Sequence, residues 1–279
     1  MEKIQEQILN RVIQKRPEES YKGMFGKVLV VGGCANMGGA AIMAGSAAVH
    51  SGAGLVTIAS AKENLTAIHA ALPEAMYINF LDKVQLTQAI KQANVIVVGP
   101  GLGTTFHAIE IFKVVLNNIS ANQDLIIDGS AITLLSMHAE LMTILPNANL
   151  FFTPHEMEWQ RLSKIAIPNQ TPENNQQKQQ ELNATVILKK HHTEIYFKNG
   201  MCKKLMIGTP AMATGGMGDT LTGILAGFLA QFKNQSVENV IQAAVYTHSK
   251  IADDLAAEKY VVLPTDIINA LQVFMHHYM

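Results

Sequence analysis

Residues Ala213 to Gln231 read ATGGMGDTLTGILAGFLAQ, a glycine-rich turn that runs straight into an apolar helix. Gly215, Gly216 and Gly218 carry no side chains, so successive backbone amides, that of Met217 among them, can converge on an anion at the helix start, where the helix dipole adds positive potential. Asp219 stands beside that anion hole, placed to take a proton from an attacking hydroxyl while a phosphoryl group is transferred. Taken alone, the same residues would also serve as a tight turn with a helix-capping aspartate. The rest of the chain decides between the two.

Upstream, KVLVVGG (Lys27 to Gly33) is a short apolar run ending in glycines, and Gly38 to Ser51 is an alanine-rich helical stretch. The runs LVTIAS (Leu55 to Ser60), AMYINF (Ala75 to Phe80), NVIVVGPGLG (Asn94 to Gly103), DLIID (Asp124 to Asp128) and NLFFTP (Asn149 to Pro154) repeat this strand pattern, mostly with helical stretches between them. Strands that are apolar almost throughout are buried on both faces. The pattern predicts an α/β fold with a mostly parallel central sheet and helices on both faces. From Ala184 it changes to ATVILKK and TEIYFKNGMCKKLMI, where Asn199-Gly200 predicts a two-residue hairpin and so an antiparallel edge. Thr171-Pro172-Glu173 predicts the start of a surface helix, and three helices close the chain. Ile4, Ile8 and Val12 predict an N-terminal helix within residues 1–20.

The 279 residues are 48% apolar and 15% charged, enough to build a large core, and show no second compositional regime, so residues 1–279 are expected to form one domain. A net charge of -1 leaves no electrostatic footprint for nucleic acid or an anionic membrane. The charged N-terminus is unlike a signal peptide, and no apolar run reaches the ~18 residues of a membrane helix, so a cytoplasmic location is expected. Cys34 and Cys202 fit neither a metal site nor a disulfide framework. GGCANMGG lacks the spacing of a dinucleotide fingerprint, which argues against a Rossmann-type site. Asp128 is expected to order the loops around it.

In open α/β sheets ligands bind beyond the carboxyl ends of the strands. The residues found there are GGCANMGGA, GPGLG, DGSA, TPHEME and GTPAMATGGMGDTLTG. Together with ATGGMGDTLTGILAGFLAQ, these segments resemble the ADP/ATP-dependent NAD(P)H-hydrate dehydratases of the ribokinase-like superfamily, from about Lys22 to the C-terminus. The resemblance implies a ribokinase-like three-layer sandwich. It places hydrate binding at Ala40, Gly103, His155 and Asp219, with Asp219 as catalytic base. It places the adenine nucleotide at Lys189, Lys190, His191, His192, Thr193 and Gly218. Relatives commonly carry glycine where Lys190 stands, a departure that bears on the local backbone. PHEME resembles the superfamily's metal-organising Asn-x-x-Glu with His155 in place of Asn, so Glu158 would serve Mg²⁺ through water, since Mg²⁺ keeps most of its waters.

The activity so implied is a carbon-oxygen lyase reaction of metabolite repair. The S form of hydrated NADH or NADPH is phosphorylated on its hydroxyl by ADP or ATP and loses phosphate to regenerate NAD(P)H. What the residues themselves indicate is a phosphoryl-transfer site. A small-molecule kinase of the same superfamily would share the anion hole and Asp219, and a nucleotide-binding regulator without turnover is the reading from another class. The resemblance also implies a homotetramer and an epimerase acting on the same metabolite from a separate chain, because some 20 leading residues cannot hold a domain.

Overall fold

The computed structural model describes residues 1–279. Its first strands and helices run β1 (Glu2–Lys3), α1 (Gln7–Val12), β2 (Lys27–Val31), α2 (Gly38–His50), β3 (Leu55–Ser60), α3 (Leu65–Ala71), β4 (Met76–Asn79), α4 (Lys83–Gln92), β5 (Val95–Val98) and α5 (Phe106–Asn118). They continue through β6 (Asp124–Ile127), α6 (Gly129–Met137), α7 (Ala139–Met142), β7 (Asn149–Phe152), α8 (Glu156–Ser163), α9 (Pro172–Leu182) and β8 (Thr185–Leu188). The last are β9 (Glu194–Tyr196), β10 (Cys202–Lys204), α10 (Met217–Gln231), α11 (Val237–Ala256) and α12 (Pro264–His276).

All ten strands form one sheet in the order β1-β10-β9-β8-β7-β6-β5-β2-β3-β4. From β8 to β4 every pairing is parallel, whereas β9 runs antiparallel to both β8 and β10. Alternate strand residues serve two different cores. Val28, Val30, Val95, Val97 and Ile126 pack under α1, α2, α3, α10, α11 and α12. Leu29, Val31, Ile96, Val98 and Ile127 pack under α4 to α9. This is the three-layer sandwich expected from strands without polar alternation. No helix is long and apolar enough to cross a membrane.

The order reverses between β2 and β5, since the chain proceeds from β2 toward β4 and then resumes at β5 on the other side. Ligand crevices open at such a switch point. There the loops after β2 and β5 meet backbone to backbone, with Gly33 N–H donating to the Pro100 carbonyl at 2.8 Å and Cys34 N–H to that of Gly101 at 2.7 Å. Helices α2 and α10 pack as closely, which explains their small residues. A side chain at Gly223 would overlap the Ala44 carbonyl and lie 2.7 Å from the Ala47 Cβ.

Two sequence expectations are corrected. The N-terminal segment is not one helix, because Glu2 and Lys3 pair with β10 and the Ile4 amide bonds to Lys204, leaving only Gln7–Val12 helical. The Asn199-Gly200 hairpin exists, but five residues separate Tyr196 from its partner Cys202 and only Gly200 takes a positive φ, so it is not the two-residue turn.

Candidate active site

The Gly215–Asp219 turn divides the crevice into two cavities. One, of 680 Å³, is lined by every residue expected to bind nucleotide, namely Lys189, Lys190, His191, His192, Thr193 and Gly218. Met217 of the expected anion hole lines it too, and Ile207, Leu221 and Val245 add apolar wall suited to a base. The other, of 660 Å³, is lined by Ala40, Gly101, Thr104, Ser130, Glu158, Gly215, Gly216 and Asp219. The turn is built for this position. Gly216 has φ +93°, a conformation that glycine adopts without penalty, and the N-cap of α10 has no side-chain bond. The amides of Met217, Gly218 and Asp219 therefore have no helical acceptor, the state in which a helix N-terminus receives an anion.

Asp219, in the first turn of α10, is half-buried and lines the second cavity next to Gly218 of the first. Burial, reinforced by the nearby carboxylates of Asp128 and Glu158 and opposed by Lys189, pushes its pKa up to about 7. A carboxylate so tuned accepts a proton near neutral pH far better than an ordinary aspartate. Asp128 is buried and bound by Lys189 Nζ at 2.8 Å, by Thr153 Oγ1 at 2.8 Å and by Thr222 Oγ1 at 3.0 Å. Burial works to raise its pKa, but the ammonium and these bonds prevail and hold it below the usual carboxylate range.

His155 caps α8, its Nδ1 accepting from the Met157 and Glu158 amides at 3.1 and 3.2 Å, while Glu158 Oε2 accepts from the His155 amide at 2.8 Å. This reciprocal box fixes Glu158 at the edge of the second cavity. His155 itself borders the first cavity, on the nucleotide side of the turn from Ala40. The Gly103 amide donates to Ser130 Oγ at 3.0 Å, which anchors the loop whose Gly101 and Thr104 line the second cavity.

Lys190 needs no glycine-like backbone, since the one residue of its loop with positive φ is His192. Its ammonium lies 3.5 Å from Glu194, a buried carboxylate that also faces Lys204 at 3.6 Å and accepts from the Tyr196 hydroxyl at 2.6 Å. Lys190 and Lys204 thus share one buried counter-ion.

Several lining residues escaped the sequence reading. Thr104 and Thr133 bring hydroxyls to the second cavity beside Ser130 of the DGSA segment, and Val245, His248 and Ser249 of α11 join the Gly208–Ala213 part of GTPAMATGGMGDTLTG in walling the first. His248 is buried, and burial, helped by Lys189, lowers its pKa to about 4, so it is neutral at physiological pH. Position past a strand end signals the first group, but nothing in its local sequence marks an α11 residue.

A profile of the NAD(P)H-hydrate dehydratase family matches residues 28–273. The chain belongs to this family. An ADP-dependent (S)-NAD(P)H-hydrate dehydratase of Lactiplantibacillus plantarum is 47% identical to it, over 100% of this chain and 98% of that protein. A crystal structure from Enterococcus faecalis, described as a ribokinase-like superfamily protein, superposes with a TM-score of 0.94 at 48% identity, over 99% of this chain and 96% of the other. The ADP/ATP-dependent NAD(P)H-hydrate dehydratase of Bacillus subtilis, co-crystallised with ATP and Mg²⁺, gives a TM-score of 0.86 at 25% identity, over 100% and 99% of the two chains.

Proposed function

We propose that this chain dehydrates the S form of hydrated NADH or NADPH at the expense of ADP or ATP, with the nucleotide in the cavity of Lys189 to Thr193 and the hydrated nicotinamide in that of Ala40 and Asp219. The observation that carries this reading is that both cavities open onto the Gly215–Asp219 turn, with a base tuned to about pH 7 at their junction. Asp219 takes the proton of the hydroxyl carried on the hydrated ring, and that hydroxyl oxygen attacks the terminal phosphorus. The bond from that phosphorus to the nucleotide breaks, leaving AMP from ADP or ADP from ATP. The C–O bond then breaks with its electrons going to phosphate, the adjacent carbon gives up a proton, and the ring double bond is restored. The free amides at the start of α10 stabilise charge on the phosphoryl group in passage.

The donor set around the turn suits Mg²⁺. No group of three or more His, Cys, Asp and Glu residues is clustered to hold a metal unaided. Glu158 offers a hard oxygen beside the second cavity, so phosphate oxygens and water would complete the shell, with Glu158 acting through water. The ion, when bound, would neutralise charge on the transferring phosphoryl. One sheet carrying both cores supports residues 1–279 as a single domain.

The test is recovery of NADH absorbance from NADH hydrate with Mg²⁺ and ADP, with ATP, or with neither. Recovery that needs a nucleotide supports the reading and names the donor. A folded, nucleotide-binding protein that gives no recovery refutes it.

A further inference from the structure

Asp128 occupies the N-cap position of α6, where an aspartate ordinarily accepts bonds from the first helical amides. It makes no such bond. Its carboxylate turns beneath α10 instead, buried to 2% exposure, and ties together Thr153 after β7, Lys189 after β8 and Thr222 on α10. The Lys189 ammonium that it holds would lie 3.0 Å from a Cβ at Gly218, so it sits against the glycine-rich turn. An ammonium has three donors, and Asp128 is the one hydrogen-bond acceptor that Lys189 Nζ meets. Two donors remain beside Gly218.

We propose that Asp128 is a positioning residue for phosphoryl transfer, aiming the Lys189 ammonium at the phosphoryl group between the two cavities. The proposal rests on reading the Gly215–Asp219 turn as the transfer site. The charged and titratable groups around that ammonium are Asp128 at the end of β6, Glu158 on α8, Asp219 on α10 and His248 on α11, and the three carboxylates favour its charged form. Lys189 is thus the cation that allows an anionic phosphoryl to approach a site holding three acids. A lysine swung away from the turn would still sit at the nucleotide cavity but would not meet charge developing in the transition state, so loss of Asp128 should act on kcat more than on nucleotide affinity.

The experiment compares Asp128→Asn, Lys189→Met, their double variant and Thr222→Val by kcat, KM for ADP and thermal midpoint. Expected are a fall in kcat of about tenfold or more for Asp128→Asn with KM for ADP within about threefold, and a double variant no slower than the slower single one, because the pair acts as a unit. Thr222→Val, which keeps the ion pair and frees one carboxylate oxygen, should lose severalfold in kcat. Unchanged kcat in Asp128→Asn, or effects that multiply in the double variant, overturns the proposal. If Asp128→Asn fails to fold, Thr222→Val decides alone, and its unchanged kcat overturns the proposal. Wild-type turnover is the control: its absence overturns the dehydratase reading itself, whereas normal wild-type turnover with an unaffected Asp128→Asn overturns this proposal only.

Discussion

Replacing Asp219 by Asn should abolish turnover and, above neutral pH, make the protein more stable. The ionised carboxylate is held in a place where burial and the charges of Asp128 and Glu158 oppose it. Between the ordinary 3.8 and about 7, at ~1.4 kcal/mol per pH unit, that opposition is worth up to about 4 kcal/mol. The carboxylate is partly open to water, and screening leaves about half of this. Because the folded-state pKa is the raised one, Asp219 stabilises the fold relative to its ionised form only at low pH, and this advantage is lost as pH rises through 7. The gain from Asn should therefore be absent near pH 4, grow between pH 4 and 7, and level off above. At ~2 °C per kcal/mol for a chain of this length, the plateau corresponds to about 4 °C in Tm. Calorimetry of both proteins without nucleotide at pH 5, 6, 7 and 8, paired with the NADH-recovery assay, measures it. A Tm difference constant across pH, or an Asn variant less stable at pH 8, refutes the reasoning, as does near-normal turnover.

Wild-type kcat/KM should fall about tenfold per pH unit below pH 7 as Asp219 protonates, and a kcat/KM profile flat from pH 5.5 to 8 would contradict its role as base. Gly223→Ala should cost about 1 to 3 kcal/mol by overpacking against Ala44 and Ala47, outweighing the ~1 kcal/mol gained in helix propensity, and urea unfolding would show it as a lowered midpoint. Lys190→Gly should raise KM for ADP severalfold, since it removes an ammonium that lines the nucleotide cavity, while releasing one of the two ammonium groups from Glu194 lowers Tm by no more than a few degrees, and initial rates against ADP together with a melting curve would show both.

The parallel half of the fold was legible because each of its strands, Val95 to Val98 for example, is apolar on both faces, a local property that burial alone dictates. Pairings made across long stretches of chain were not. The apolar stripe of Ile4, Ile8 and Val12 fits a helix, and nothing near Ile4 announces that its amide will bond to Lys204. Asn199-Gly200 marks a turn, yet the strand register that sets its length comes from the pairing of Tyr196 with Cys202. At the site, residues at strand ends and in the glycine-rich turn could be picked out by their position. The far wall of the first cavity could not, because it depends on where α11 passes the loop after β10, and neither could the turning of Asp128 away from α6.

The two cavities share the glycine-rich turn and the start of α8, yet the rest of each is bounded by different segments. Neither reactant need pass through the other's seat to reach the turn. Such an arrangement favours a ternary complex assembled in either order, with families of initial-rate lines that intersect instead of running parallel. The spent nucleotide and the repaired dinucleotide would likewise leave independently, so AMP should compete with ADP but not with the hydrated dinucleotide.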